Sequence, residues 1–129
     1  SAFQDCTNIT EIEIPSSVTS IGKNAFSRCI YLKSMVLPSG MTTIERGLFD
    51  DCMFLTNVVI PETVTSIGEG AFWGCKSITK IDIPANVTSI GKEAFKDCIN
   101  LTNLRMPSGA TIGVETFGGC NKDLVIEKY

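Results

Sequence analysis

Two carboxylates and six thiols are the side chains whose type and spacing could support chemistry. Glu93 and Glu115 each lie two residues before a phenylalanine, in neighbouring copies of one repeating unit. Stacked units would bring them about 5 Å apart, the separation of adjacent strands. That distance suits a bound cation or a two-carboxylate hydrolase. The position is expected on an outer face with Lys92 beside it and no cleft, where two solvated carboxylates do nothing. Catalysis by a nucleophile and imidazole base is excluded, because the chain has no histidine. Imidazole metal sites go with it.

Cys6, Cys29, Cys52, Cys75 and Cys98 recur every 23 residues, and Cys120 follows after 22. None forms the short CxxC pair of a zinc site. Stacking at about 4.8 Å falls within the Cα separation that a disulfide tolerates, so three bridges between adjacent units are one reading. A column of buried free thiols, each a small apolar plug in its own unit, is the other. Asn8-Ile9-Thr10, Asn86-Val87-Thr88 and Asn100-Leu101-Thr102 fit the N-glycosylation acceptor pattern. They matter only in a eukaryotic secretory pathway. The glycines are isolated, so no phosphate-cradling loop is present.

The elements that must position these residues are copies of one another. Phe3, Phe26, Phe49, Phe72, Phe95 and Phe117 keep the cysteine beat, and so do Pro15, Pro38, Pro61, Pro84 and Pro107. A fixed period of this size marks a solenoid, in which each unit buries its apolar side only against its neighbours. Residues 1–129 therefore read as a single repeat domain of about five 23-residue coils plus a terminal strand. Ser1-Ala2-Phe3 opens in mid-repeat, so a piece of a longer repeat protein is expected.

In each coil an apolar trio such as Leu55, Val58 and Ile60 precedes the proline. Its last two members share one face of a short strand. One strand per coil implies a narrow parallel sheet, each strand ended by a proline that lacks an N–H. The return path, Val64 to Ile67 in the third coil, should point inward from the opposite wall. Gly22, Gly68, Gly91 and Gly113 then suggest a bend with unusual backbone angles, with Glu45 departing from the pattern. Ala71, Phe72 and Cys75 suit one or two turns of α- or 3₁₀-helix, and the phenylalanines should form an aromatic spine. At the C-terminal end one coil is a residue short, so Ile112 arrives early. Residues 123–129 read as a capping strand with Leu124 and Ile126 inward. The opposite end leaves Ile9, Ile12 and Ile14 on an uncovered edge that invites self-association.

Segment 83–101, from Ile83-Pro84 through Val87, Ile90-Gly91 and Ala94-Phe95 to Cys98, resembles the BspA-type leucine-rich repeat. The likeness runs from Ala2 to about Ile126. Leu48 and Thr116 at the alanine position, Glu45 at the glycine and the shortened last coil are its departures. The resemblance implies a leucine-rich repeat solenoid, a right-handed α/β-type superhelix. It would be mainly β, with short parallel strands on the concave side and short helical or 3₁₀ turns on the return path. It also implies a cell-surface or secreted location and adhesion to host or matrix proteins, and it carries no catalytic motif or cofactor.

The net charge of −3 and the absence of a Lys/Arg run disfavour nucleic acid and anionic membranes. No apolar stretch reaches the roughly 20 residues of a spanning helix. A protein partner remains. Along the outward strand positions Val36 and Val59 interrupt a column otherwise made of Glu13, Asp82 and Arg105. At the strand entry Tyr31 and Phe54 stand where other coils carry Asn8, Ser77 and Asn100. Either Ile30, Met53 and Phe54 fold inward as extra core, or this cluster is an interaction site. The candidate partner-binding set is Tyr31, Lys33, Val36, Phe54, Asn57, Val59, Lys80, Asp82 and Arg105, on a non-enzymatic adhesin segment. Trp73, alone in its column, is a separate anchor candidate on the outer side. The alternative is a structural spacer or stalk with no ligand of its own.

Overall fold

Apolar residues two apart, closed by proline, give each repeat a strand too short to stand alone, and stacking supplies its hydrogen bonds. The structure, a computed structural model, describes residues 3–129; Ser1 and Ala2, the start of the first repeat, lie outside them. Nine short strands form among the described residues. They are β1 Ser34–Val36, β2 Thr43–Ile44, β3 Asn57–Val59, β4 Ser66–Ile67, β5 Lys80–Asp82, β6 Ser89–Ile90, β7 Asn103–Met106, β8 Thr111–Ile112 and β9 Val125–Lys128. Every pairing is parallel and one coil apart. The odd-numbered strands make one wall, here the strand face. The even-numbered ones make a second sheet on the return path, ordered β2-β4-β6-β8. Each proline closes its strand and opens a turn, as in Val64 N–H donating to Pro61 O at 3.1 Å.

Between the two walls runs one continuous core. Leu55, Val64, Ile67, Ala71, Phe72 and Cys75 of the third coil are all buried, as are their counterparts in the coils on either side. Successive phenylalanine rings from Phe3 to Phe117 stack with centroids 5.0–5.9 Å apart. The expected spine is therefore present.

Four expectations need correction. The return path contains no helix among the described residues. Around Phe72, alternate amides bond locally (Trp73 N–H to Gly70 O, 3.1 Å) and to the next coil (Phe72 N–H to Ala94 O, 2.7 Å). A helix would need every amide for its own ladder. Residues two before and two after each spine phenylalanine from Phe26 to Phe117 also take left-handed angles, as Gly70 (φ 60°), Gly74 (φ 73°), Glu93 (φ 58°) and Asp97 (φ 60°) do. Single left-handed residues break a right-handed helix after one turn.

The glycines expected to supply those angles do something else. Gly68 and Gly91 have no positive φ; a Cβ there would sit 2.6 Å from the backbone nitrogen of Arg46 or Glu69 in the preceding coil. They permit close approach of backbones, and Gly68 N–H reaches Ile44 O at 2.7 Å. Glu45 carries a Cβ at that place, and the return sheet ends at β2 without pairing to the coil before it.

The first coil does not extend the strand face either. Residues 9–14 form no strand, and Ile9, Ile12 and Ile14 pack half-buried against the core. Lastly, the strand face is not one sheet. It consists of β1-β3 and β5-β7-β9, with no ladder between β3 and β5.

Candidate functional site

The outward residues of β1 and β3 are brought together by their register, which sets Ser34 beside Asn57 and Val36 beside Val59. Neither valine is covered: Val36 is 66% exposed and Val59 50%. At the entry to the same two coils Tyr31 and Phe54 stack with centroids 5.4 Å apart and planes within 9°. Both rings are about half exposed. The inward-folding alternative therefore does not hold for Phe54, while Ile30 and Met53 are partly covered. The rings point outward because Leu32 and Leu55, directly after them, already fill the core side.

On the other side of the split, β5 and β7 set Lys80 beside Asn103 and Asp82 beside Arg105. Lys33, Asn57, Lys80, Asp82 and Arg105 are all exposed. The nine sequence-selected residues thus fall into two groups. Tyr31, Lys33, Val36, Phe54, Asn57 and Val59 lie on the β1-β3 side, and Lys80, Asp82 and Arg105 on the β5-β7-β9 side. A cleft of about 570 Å³ extends from β3 across β5 to Arg105 and Tyr129, lined also by Asn57, Val59, Lys80 and Asp82.

Tyr129 is the site residue that sequence reasoning missed. Its backbone continues the pairing of β9 with β7 through Met106 O, and its hydroxyl donates to Ile83 O. The Arg105 guanidinium lies 5.0 Å from the ring centroid and 3.5 Å from Glu127 Oε1. Arg105 is thereby held in place by the last strand rather than by its neighbour Asp82. An aromatic residue at the strand end was the available signal, but no period repeats it.

The chemistry-bearing residues resolve into structural roles. Lys96 Nζ bridges the carboxylate pair, 3.0 Å from Glu93 Oε2 and 3.2 Å from Glu115 Oε2. Those two hydrogen bonds, Glu93 first, raise the lysine pKa. Lys92, the expected neighbour, is more distant at 4.0 Å. Lys96 also lies over Trp73 (5.3 Å to the centroid), whose Nε1 donates to Asp97 Oδ2 at 3.2 Å. Trp73 is thus pinned on the outer face, away from the strand residues. No group of three or more His, Cys, Asp or Glu that could hold a metal occurs among the described residues.

All six cysteines are free. Each inner thiol donates to the carbonyl of a phenylalanine in the coil before, as Cys52 does to Phe26 O (3.0 Å) and Cys75 to Phe49 O (3.2 Å). Burial pushes the Cys52 and Cys75 thiols up. Two of the glycosylation-pattern asparagines are likewise occupied. Asn86 Nδ2 donates to Glu62 O (2.8 Å) and Asn100 Nδ2 to Lys76 O (2.7 Å), clamping neighbouring coils.

The model of the BspA type leucine rich repeat region matches residues 1–123, in six copies. The chain belongs to the BspA-type leucine-rich repeat family. Three solved members of this kind show how far the likeness goes. A leucine-rich repeat protein from Bacteroides ovatus is 38% identical over 88% of this chain (TM-score 0.76). One from T. pallidum is 27% identical over 91% (TM-score 0.84). A leucine rich cell surface protein from Faecalibacterium prausnitzii is 26% identical over 99% (TM-score 0.75). The BspA-type segment described here spans 27%, 57% and 49% of those chains. Comparison with curated protein sequences gave no match. Within the family, then, this chain is a parallel-strand β-solenoid of repeats, and no helix of its described residues is long and apolar enough to cross a membrane.

Proposed function

We propose that this chain is a non-enzymatic protein-binding segment of a cell-surface or secreted adhesin that uses its strand face. The observation that carries the reading is the apolar cluster of the second and third coils. Val36 and Val59 sit side by side and uncovered, and the Tyr31–Phe54 stack stands at the entry of the same coils. Exposed apolar residues rimmed by polar ones are typical of protein interaction sites, with tyrosine a favoured anchor. Lys33, Asn57, Lys80, Asp82 and Arg105 provide that rim with both charge signs, which favours orientation over bulk attraction. The surface location draws support from the Faecalibacterium cell surface protein.

The test is binding of the purified chain to a panel of extracellular matrix and host-surface proteins, beside a Val36→Lys/Val59→Lys variant. Both side chains are exposed, so the variant should fold with an unchanged Tm. Saturable binding that weakens at least about tenfold in the variant, roughly 1.4 kcal/mol, is the expected result. Equal binding by the two chains removes the strand face from the mechanism. No binding by either favours the spacer.

A further inference from the structure

The break in the strand face is confined to one junction. Thr56 N–H donates to Lys33 O (2.9 Å), Thr102 N–H to Thr79 O (2.9 Å) and Val125 N–H to Thr102 O (2.8 Å), yet Thr79 N–H makes no such bond to Thr56 O. In the reverse direction Leu37 N–H reaches Val59 O (3.2 Å) and Ile83 N–H reaches Arg105 O (2.8 Å), while Ile60 N–H does not reach Asp82 O. Val58 is half-buried where Met35, Ile81 and Leu104, its equivalents, are buried. The Phe49 and Phe72 rings, on the turns that lead into β3 and β5, are turned by 24°, more than any other pair in the column. Behind the opening the wall is intact: β4 pairs with β6, and Cys75 still donates to Phe49 O. Only two side-chain bonds close the ends of the gap, Ser77 Oγ to Met53 O (2.7 Å) and Asn86 Nδ2 to Glu62 O (2.8 Å). The result is an opening hinged on the phenylalanine column.

We infer that this opening receives one extended strand of a protein partner, inserted between β3 and β5. The inference rests on the protein-binding reading of the strand face. Facing rows of unpaired N–H and C=O groups are a template for another strand, and strand addition is a recurring mode of peptide recognition. The chemistry of the occupant follows from its neighbours. Two aliphatic side chains two residues apart would point inward, between Val58–Ile60 and Ile81–Ile83. The alternate side chains would emerge between Val59 and Asp82, joining the two groups of surface residues. Insertion exchanges the Ser77 and Asn86 bonds for a backbone ladder on both edges, and widens the gap to two strand spacings, about 9.6 Å.

Amide hydrogen exchange on the full chain tests this. In the free protein the Ile60 and Thr79 amides should exchange at least about 100-fold faster than their equivalents Ile83 and Thr102. The probe is a synthetic peptide copying residues 101–107, Leu-Thr-Asn-Leu-Arg-Met-Pro, which carries the required alternation. It should protect Ile60 and Thr79, and a copy N-methylated on its backbone should not. An Asn57→Cys/Lys80→Cys variant, bridged across the junction, should lose peptide binding and regain it on reduction; exchange at β4 and β6 verifies its fold. Slow exchange of Ile60 and Thr79 in the free chain, no protection by the peptide, or undiminished binding by the bridged form would each overturn the inference. A partner protein that binds the bridged chain but not the Val36→Lys/Val59→Lys chain would leave the binding face standing and remove the insertion.

Discussion

At the scale of single residues, a glycine matters here for the atom it lacks. Gly91 admits the backbone of Glu69 to within 2.6 Å of where a Cβ would be, with Gly68 C at 2.8 Å. Gly91→Ala must therefore push two coils apart, breaking the Gly91 N–H bond to Ile67 O. A loss of about 2–3 kcal/mol is expected from this overpacking, read as a shift of the urea midpoint. Glu45→Gly should act oppositely, letting β2 pair with the coil before it and adding about 1 kcal/mol. The thiol column makes a second prediction. Burial raises the Cys52 and Cys75 pKa above the ordinary thiol range. The folded chain thus holds protons that the unfolded chain releases as pH rises. Their contribution is complete below about pH 8.5 and declines above it, by up to about 1.4 kcal/mol per pH unit for each buried thiol. Tm should fall steeply from pH 9 upward, and less so in a Cys75→Ala chain compared with its own neutral-pH value.

At the scale of elements, the return turn is built on left-handed residues, two per coil, whatever their side chains. Glu115 holds φ 52° with its side chain largely exposed. Its ion pair to Lys96 is worth little there, whereas relief of the left-handed strain favours glycine. Glu115→Gly should stabilise the chain by about 0.5–1 kcal/mol in thermal or denaturant unfolding, part of the gain being offset by the freer unfolded chain. Elements fixed by apolar period were legible: the strands of the strand face, their parallel stacking, the phenylalanine spine and the outward valine pair, but not the second sheet of the return path. The turn was not. Ala71, Phe72 and Cys75 have helical spacing, but Gly70 and Gly74 are left-handed and the amides between them bond to the next coil, which no local pattern encodes. Nor could the sequence reveal the split after β3, because the inward positions Val58 and Ile60 have the equivalent aliphatic residues Ile81 and Ile83 in the next coil. The site was half legible for the same reason. Val36, Val59, Tyr31 and Phe54 stand out as departures from their columns, while Tyr129 belongs to no column.

At the scale of the whole molecule, a solenoid's stability is a sum of coil terms and neighbour terms. The neighbour term between the third and fourth coils lacks its strand-face ladder, so it should be the smallest of the inner ones. Residues 57–67 and those before them should then be separable in free energy from the coils that follow. Hydrogen exchange at moderate urea should show β1 and β3 opening before β7 and β9. The uniform cysteine and phenylalanine columns work against this division, since they cross the junction unbroken. A Ser77→Ala/Asn86→Ala chain, which removes both clamps, should widen the interval between the two openings. The proposed adhesion would add a load. Tension drawn along the stacking axis crosses this junction through β4–β6, one ring contact and the turn bonds, and on the strand face through the Ser77 and Asn86 clamps in place of a ladder. The junction is consequently a mechanical fuse, the place where a stretched chain yields first while the coils on either side keep their shape.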